Sequence, residues 1–344
     1  MTAGQHAAGT LLLRRILVGI PSLVGVVVAT FLLTRALPGD PAAYFAGPAA
    51  TAASIEEIRQ RLGLDRGITD QFILYVRDLV RGDLGTSLLS GQPVLDDLLR
   101  RLPASLELTL LALMLASGVG IPLGIAAALR PGSGIDGVCS VLAMIGQAVP
   151  TFFMGLILVF VFYYTLEWAP APIGRLDIIY APPRALTGFW SVDAALVGDI
   201  DLLGRVLAQL VLPVVTLAFF GLGPLARMTR ASMLEVLASD FIRTARAAGL
   251  PHRMVLWTYA FRNALIPVLG TAGMVFSFLL GANVLVEKVF GWPGVGAYAI
   301  EAVLASDYAP VQGFVIAMAM LYLLVNLAID ICSSIIDPRM SFDE

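Results

Sequence analysis

Six long apolar windows constrain this chain more than any other feature. They lie near residues 16 to 36, 105 to 129, 138 to 166, 206 to 229, 266 to 287 and 311 to 335. A helix needs roughly 20 residues to cross a hydrocarbon core of about 30 Å, and every window reaches that length. Hydrophobic residues make up 58% of the sequence and charged residues 14%, whereas soluble domains carry about 25% charged residues. The sequence therefore predicts an all-α integral membrane protein with six transmembrane helices.

The first window follows Arg14 and Arg15, so it resembles the start of a cleaved signal sequence. The apolar run from Ile16 to Leu33 is longer than a usual signal core, and no convincing small-x-small cleavage site follows it. We interpret this window as a retained signal anchor.

The distribution of cationic residues bears on the orientation of the helices. If the N-terminus is cytoplasmic, the inner segments are residues 1–15, 130–137, 230–265 and 336–344. Ten cations lie in these segments or at inner span ends: Arg14, Arg15, Arg130, Arg227, Arg230, Arg243, Arg246, Arg253, Arg262 and Arg339. Twelve lie outside, but seven of these belong to the loop 37–103, which exceeds the roughly 60 residues over which the rule operates. Without that loop, ten inner cations stand against five outer ones, which favours cytoplasmic termini. Arg100 and Arg101, near a span end on the outer side, argue against this orientation.

The loop 37–103 contains helix patterns of its own. "SIEEIRQRLG" starts with the capping-box spacing from Ser54 to Glu57 and ends at Gly63. Its apolar face holds Ile55, Ile58 and Leu62.

A second amphipathic helix is predicted from Thr69 to Arg81, with Gly82 as its stop. Its apolar stripe holds Phe72, Ile73, Val76 and Val80. A third helix is expected to start at Pro93. These helices predict a small cap on the outer membrane face, which is either a structural lid or a docking surface for an outside partner.

The other outer segment, 167–205, carries "APAPIGR" and "YAPPRALTGFW". Its prolines forbid long regular elements. We expect an ordered loop on the membrane surface.

Several kinds of site are excluded by composition. The only lysine, Lys288, does not stand in a phosphate-binding G-x-x-x-x-G-K-[ST] motif, so this chain has no P-loop. The only histidines, His6 and His252, do not form an H-E-x-x-H zinc motif. Cys139 and Cys332 are too few for a cysteine-based zinc site, and we interpret them as small membrane-core residues. A net charge of -3 argues against a nucleic-acid partner.

Four polar residues within or beside the apolar windows are candidates for a substrate pathway. Glu107 either stabilises the start of the second span or lines the pathway, and Gln147 makes an interhelical hydrogen bond or lines it. Asn283 and Glu287 lie at the outer end of the fifth span, where the neighbouring Glu287 and Lys288 are either interfacial or part of a gate.

The stretch "DFIRTARAAGLPHR" interrupts the apolar pattern between the fourth and fifth windows. It predicts a short helix on which Phe241, Ala245 and Ala248 share one face, while Arg243 and Arg246 share another. Gly249 supplies a stop, and the chain restarts as a helix after Pro251. A helix, a break and a second helix across the inner mouth are suited to binding a groove on a soluble partner.

Several stretches, in order, resemble one family. They are "FLLTRALPGDPA" (31–42), "RGDLGTSLLSGQPV" (81–94), "RLPASLELTLLAL" (101–113), "ASMLEVLASDFIRTARAAGL" (231–250), "EKVFGWPGVGAYAIEAVLASDY" (287–308) and "LVNLAIDICSSIIDPR" (324–339). They are similar to the permease subunits of ATP-binding-cassette importers, specifically the dipeptide/oligopeptide group, which includes nickel and glutathione permeases. The general importer signature begins Glu-Ala-Ala with glycine seventh, where this chain has Arg243, Thr244, Ala245 and Gly249. The missing glutamate and the distant Pro267 resemble the peptide group.

The resemblance implies a type I importer permease fold and a function in substrate import. The coupling segment, which docks on the ATPase, is implied at Asp240, Phe241, Arg243, Thr244, Ala245, Arg246, Ala248, Gly249, Leu250 and Pro251. "FGWPGVG" lies in the region where a binding protein delivers substrate, which makes Phe290, Trp292 and Pro293 candidates for docking it; the alternative is an interfacial turn.

The implied partners are a second homologous permease, two cytoplasmic ATPases, an extracytoplasmic substrate-binding protein and membrane lipid. The ATPases hold ATP and Mg, and this chain needs no metal or cofactor. The expected location is the plasma (inner) membrane of a prokaryote. A dipeptide is the first substrate expected, with oligopeptides, metal chelates, glutathione and haem as alternatives.

We divide the chain into an N-terminal helix and outer loop (1–103), a five-helix core (104–337) that contains the coupling loop at about 231–265, and a cytoplasmic tail (338–344). The alternative function, from another class, is a self-sufficient channel or ion-coupled carrier. Such a protein transports without an ATPase subunit.

Overall fold

A computed structural model describes residues 3–36, 40–47 and 49–336, with side chains from residue 19 to 329 in those ranges and at Ile331. The expected tail (338–344) lies outside the described residues, as do the side chains of Arg14, Arg15 and Cys332. In chain order the helices are α1 (Ala3–Ala36), α2 (Pro41–Ala46), α3 (Ala52–Arg61), α4 (Ile68–Val80), α5 (Val94–Leu129), α6 (Gly134–Ala148), α7 (Thr151–Leu158), α8 (Trp190–Val197), α9 (Ile200–Leu237), α10 (Asp240–Ala247), α11 (His252–Met254), α12 (Arg262–Val289), α13 (Val295–Leu304) and α14 (Tyr308–Ile336). Two π-helical segments, Val159–Thr165 and Val255–Phe261, continue α7 and lead into α12.

Five helices in the described ranges are long and apolar enough to cross a membrane. They are Gly19–Ala36, Val94–Leu129, Ile200–Leu237, His252–Val289 and Tyr308–Ile329. Each coincides with one of the predicted windows. The described part of the chain contains no β-strand, which confirms the all-α class.

The third predicted window, 138–166, is not one straight helix. The helices of residues 134–148 and 151–165 are bent by 103° relative to each other. They form a sixth span only if the bent pair is counted as one. Val149 takes an extended conformation (φ -98°, ψ 124°) before Pro150. A proline disfavours helical geometry in the preceding residue and cannot donate a backbone hydrogen bond, which accounts for the break.

The central helices approach closely because small residues lie between them. A Cβ atom on Gly124 of α5 would lie 2.5 Å from the carbonyl oxygen of Ala226 in α9. About one turn earlier in α9, a Cβ on Gly223 would lie 2.7 Å from the Cα of Ala143 in α6. Such contacts are typical of membrane helices, whose association depends on close packing more than on the hydrophobic effect.

The core lies where α5, α9 and α12 meet. Its buried side chains include Leu108, Ala112, Leu210, Leu217, Leu225, Val275 and Leu279. Cys139 is buried against Ala127 and Ala226, as its assignment to the membrane core predicts.

Contacts between helix ends define two sides of the bundle. On one, Gln312 donates to the Thr34 hydroxyl at 2.9 Å, and the Trp292 indole donates to the Ala104 carbonyl at 3.0 Å. This side also carries α2 to α4 and α13, and we call it the cap side. On the opposite side, Arg230 near the end of α9 pairs with Asp136 at the start of α6.

Two cap helices form where expected, with corrections at their ends and faces. Helix α3 starts earlier than Ser54, because the Thr51 hydroxyl accepts from the Ser54 N–H at 3.3 Å and is the N-cap. Glu57 pairs with Arg61 at 2.6 Å, so no capping box forms. Gly63 has a positive φ of 65° just beyond the helix, as a stop requires.

Helix α4 ends before Gly82 (φ 80°) as predicted, but its apolar stripe is wrong in part. Ile73 and Val80 are exposed. Phe72, a member of the predicted stripe, packs on Phe31 of α1 with ring centroids 5.0 Å apart. Tyr75, which the stripe did not include, packs on the same ring with centroids 5.7 Å apart.

The expected third cap helix is the start of the second span. Helix α5 runs from Val94 to Leu129 with Pro93 as its N-cap. It passes through Pro103 without a break, although a proline inside a helix removes one backbone hydrogen bond. The division that we drew at 103/104 therefore falls within α5.

Candidate functional site

The coupling segment folds as a helix, a turn and a second helix, as its sequence predicts. Helix α10 ends at Ala247, and Gly249 follows with a φ of 74°. The Gly249 N–H donates to the Arg246 carbonyl at 3.0 Å. Pro251 is then the N-cap of α11. Because a side chain is strained at positive φ, glycine suits this turn.

The two faces of α10 differ from the predicted ones. Ile242 and Ala245 are buried, whereas Phe241 and Ala248 are exposed. The predicted stripe of Phe241, Ala245 and Ala248 is therefore divided: Ala245 packs inward with Ile242, and the other two residues face outward.

The buried face of α10 packs on three parts of the same chain. Ile242 and Ala245 share a cluster with Ile125 and Ala128 of α5, Met233 of α9, and Val255, Leu256 and Ala260 of the π-helical segment. A force on α10 is thus applied to the ends of helices that run through the membrane bundle.

The exposed face of α10 is cationic and partly apolar. Arg243 pairs with Asp240 at 2.5 Å, and both side chains are largely exposed. Arg246 is exposed and has no ion pair with another residue in the described ranges. Leu250 is half-buried and packs against the cluster beneath α10, while Thr244 and Pro251 are exposed.

On the cap side, Glu107 is the centre of a buried polar group. Its carboxylate accepts from Arg175 at 2.5 Å and from the N–H and hydroxyl of Ser191 at 2.8 and 2.6 Å. Arg175 also donates to the Gly188 carbonyl at 2.8 Å and lies over the Trp190 ring at 4.2 Å. Glu107 and Arg175 are 2% and 6% exposed. Since α5 begins at Val94, Glu107 does not stabilise the start of its own span, and that interpretation is wrong. Its bond from the Ser191 N–H instead satisfies the first turn of α8.

A second polar group surrounds Glu287. Its carboxylate accepts from Asn283 at 2.9 Å, from the Ala297 N–H at 2.9 Å and from the Ser105 hydroxyl. The same hydroxyl accepts from the Val295 N–H at 2.9 Å. These bonds satisfy the N-terminus of α13, where backbone N–H groups have no partner within the helix.

The four pathway candidates therefore separate into two sets. Glu107, Asn283 and Glu287 are 1% to 2% exposed and hydrogen-bonded within the chain, so none of them faces open space. Lys288 pairs with Glu301 at 3.6 Å instead of with Glu287, which corrects the expected neighbouring pair. Gln147 alone lines an open cleft, at the end of α6.

The aromatic residues expected to meet a binding protein are mostly interior. Phe290 and Trp292 are 4% and 1% exposed, and Trp292 is held by its hydrogen bond to Ala104. Their assignment to an exposed docking surface, and that of Trp292 to an interfacial belt, is wrong in this structure. Pro293 is exposed.

Sequence reasoning missed Ser105, Arg175 and Ser191, which complete the two polar groups. Ser105 stands four residues before Thr109 in an apolar helix and looks like a packing residue. Arg175 and Ser191 lie in or beside a proline-rich loop whose path has no periodic signal. Only the need of buried Glu107 for a cation hints at Arg175.

Comparison with known proteins places almost the whole chain in one family. Residues 120–342 match the family described as binding-protein-dependent transport system inner membrane component. Residues 10–109 match the N-terminal region of such membrane components.

Relatives are similar over nearly their full length. The probable D,D-dipeptide transport system permease protein DdpB of Escherichia coli is 44% identical over 318 residues, 92% of this chain and 93% of the relative. The di/tripeptide transport system permease protein DppB of Pseudomonas aeruginosa is 39% identical over 95% of this chain and 97% of the relative. The dipeptide transport system permease protein DppB of Alkalihalophilus pseudofirmus is 37% identical over 96% and 98%. With its apolar helices, this chain therefore belongs to the inner membrane components of binding-protein-dependent transport systems, as a multi-pass permease subunit.

Proposed function

We propose that this chain is the permease of an ATP-driven importer of dipeptides or oligopeptides. It receives substrate from an extracytoplasmic binding protein and passes it to the cytoplasm by alternating access. The family description and the names of the three relatives support this assignment, since the relatives are named for D,D-dipeptide, di/tripeptide and dipeptide transport. A dipeptide is the first substrate to test.

The observation that carries the proposal is the two-faced arrangement of α10. Its Ile242 and Ala245 side chains pack on α5, α9 and the π-helical segment. Its Phe241 and Arg246 side chains are exposed. An exposed apolar anchor with a cationic rim is a common way for a helix to occupy a groove on a soluble partner.

This chain carries no phosphate-binding loop, so a separate cytoplasmic ATPase hydrolyses the ATP. That ATPase is the partner that binds α10. Two such ATPases bind ATP and Mg, and a second homologous permease shares the pathway with this chain. This chain binds no cofactor of its own. ATP binding closes the ATPase pair, α10 transmits the movement, and hydrolysis resets the helices. A ligand shifts a conformational equilibrium only through different affinities for its states, so α10 contacts the two ATPase states differently.

The proposal implies an orientation in the membrane. The side that carries α10 faces the cytoplasm, with the N- and C-termini, in the plasma membrane of a prokaryote. The cap side faces outward, where α2 to α4 and Pro293 are available to a binding protein. The charge distribution of the inner segments supports the same orientation.

Mass spectrometry of proteins that co-purify with this chain tests the proposal. The chain is affinity-tagged and extracted from native membranes in mild detergent. We expect a related permease and one or two P-loop ATPases. Recovery of the chain alone, with transport in vesicles that lack ATP, would support the channel or carrier alternative and overturn the proposal.

A further inference from the structure

An open cleft of about 600 Å³ lies between α6 and α9. Residues from α6 form one wall and two arginines from α9 the other; the lining is Cys139, Ser140, Ala143, Met144, Gln147, Ala148, Arg227 and Arg230. The volume falls within the range of about 300 to 1,000 Å³ typical of small-molecule sites. Its wall combines apolar surface with a few polar groups, as such sites do.

The two arginines of the cleft are not equivalent. Arg230 is paired with Asp136 through two hydrogen bonds, the second 2.9 Å long, so its charge is balanced. Arg227 is exposed, and no residue in the described ranges bonds to it or forms an ion pair with it. The cleft therefore carries one uncompensated positive charge.

The position of Arg227 makes this charge costly. Arg227 lies three residues before Arg230, toward the middle of the apolar span, which is about 4.5 Å along the helix axis. An arginine within a membrane span faces a water-filled cavity or a partner, because exposure of its charge to hydrocarbon is unfavourable. No ion-pair partner is present in the described chain, so the open cleft is the environment that suits this side chain.

We propose that the cleft is an inner station for the substrate, at which Arg227 attracts a carboxylate of the passing peptide. Arg227 pairs with the carboxylate, and Gln147 is placed to bond the peptide backbone. The Ser140 hydroxyl donates to the Asp136 carbonyl at 3.0 Å, so toward the peptide it acts as an acceptor. The open form of the cleft suits brief contact during passage rather than tight binding. This inference rests on the proposed function, because a peptide is the substrate that supplies the carboxylate.

An anionic lipid headgroup has similar charge chemistry, so the cleft must be tested against it. The neutral polar groups favour a peptide. Gln147 offers both a donor and an acceptor, as an amide backbone requires, whereas a phosphate only accepts. We therefore assign the cleft to the peptide, and binding of a lipid is one of the outcomes that the test distinguishes.

The test measures the electrostatics of the cleft by chemical modification. Met144→Cys, at an exposed apolar residue of the lining, is introduced with Cys139→Ala and Cys332→Ala, and the assembled transporter is placed in zwitterionic vesicles. The modification rates with an anionic and a cationic methanethiosulfonate are compared as a ratio. We expect Arg227→Gln to lower the anionic-to-cationic ratio about fivefold, because a unit charge about 8 Å away in water changes the rates of the two reagents in opposite directions, each by about 2.4-fold. Arg227→Lys should keep most of the ratio, and Arg130→Gln, outside the cleft, should not change it.

A second arm identifies the occupant. During ATP turnover with binding protein present, an excess of dipeptide should slow modification of Met144→Cys at least twofold, and Arg227→Gln should weaken that protection. Protection by added phosphatidylglycerol but not by dipeptide would assign the cleft to lipid and overturn the proposal. An unchanged ratio in Arg227→Gln would overturn it as well. If the Met144→Cys parent takes up no dipeptide although wild type does, Ala148→Cys, also in the lining, replaces it. Absence of uptake by wild type would instead contradict the proposed function.

Discussion

The carboxylate of Glu287 accepts a hydrogen bond from the backbone N–H of Ala297 at 2.9 Å, which ties the end of α12 to the start of α13. The Ser105 hydroxyl bonds to both elements and brings in α5. The segment "EKVFGWPGVGAYA" thus folds back on its own glutamate, and three helices meet at one buried carboxylate.

Removal of this carboxylate should destabilise the protein. Glu287→Ala leaves the Ala297 N–H and the Ser105 hydroxyl without their acceptor, and an unsatisfied buried group costs about 1 to 3 kcal/mol. We expect a lower unfolding temperature in detergent than for wild type. Glu301→Ala is the matched control, because the Glu301 side chain is exposed and, within the described ranges, its polar contact is the pair with Lys288. Equal unfolding temperatures for both variants would contradict the capping role of Glu287.

The first turn of α13 has no room for a side chain at Gly296. A Cβ atom on Gly296 would lie 2.5 Å from the Cα of Val284, which is backbone of α12 and cannot rotate away. We expect Gly296→Ala to lower the unfolding temperature and the yield of assembled permease. Gly281 lies in α12, and a Cβ atom there would meet no neighbouring atom within 4 Å. Gly281→Ala should therefore be neutral or mildly stabilising. A neutral Gly296→Ala would show that α13 does not pack on α12 this closely.

The Glu107 and Arg175 pair is suited to a double-mutant cycle. Because both side chains are buried, loss of one partner leaves an uncompensated charge, which costs about 3 to 5 kcal/mol. Arg175→Met should therefore be strongly destabilising, and adding Glu107→Gln should recover part of the loss. The exposed Arg205 and Asp201 pair is the control and should contribute about 0 to 1 kcal/mol. Additive effects of the Glu107 and Arg175 changes would contradict a direct pair.

Asp193 gives a pH dependence. Burial alone would raise the pKa of Asp193, but hydrogen bonds from the Thr187 hydroxyl and from the Thr187 and Gly188 N–H groups outweigh it and hold the pKa below its ordinary value. A lowered pKa adds stability that is complete above the ordinary pKa and is lost as the pH falls through the folded-state value. Wild type should exceed Asp193→Asn in unfolding temperature at pH 7, and the difference should shrink below about pH 4. A constant difference across that range would exclude the charge as its cause.

Much of the membrane topology could be predicted from the sequence because length and hydrophobicity decide which segments enter a bilayer. Five of the predicted windows are helices in the structure. The break at Val149 was not predicted, because the window 138–166 was interpreted as one span although it contains Pro150. Its bend of 103° depends on packing that the sequence does not reveal.

The positions of the polar residues could not be predicted from the sequence, because in a membrane protein the polarity of a side chain does not tell whether it is buried. Glu107 and Glu287 resemble pathway residues because they stand in apolar sequence. In the structure both carboxylates already accept hydrogen bonds from other segments of the chain. Conversely, Phe241 looks like a core residue and is exposed on α10. In each case the deciding neighbour is remote in sequence, so local patterns carry no signal of it.

Substrate-stimulated ATP hydrolysis by the reconstituted transporter tests the central claim most directly. The assay uses this permease with its partner permease, ATPases and binding protein. Arg246→Glu reverses an exposed charge of α10, and Gly249→Pro removes the positive φ and the N–H of its turn. Both should insert normally and lose most peptide-stimulated hydrolysis and uptake, whereas Arg130→Glu, elsewhere on the same side, should retain them. Wild-type hydrolysis and uptake in both α10 variants would contradict the coupling role of this helix.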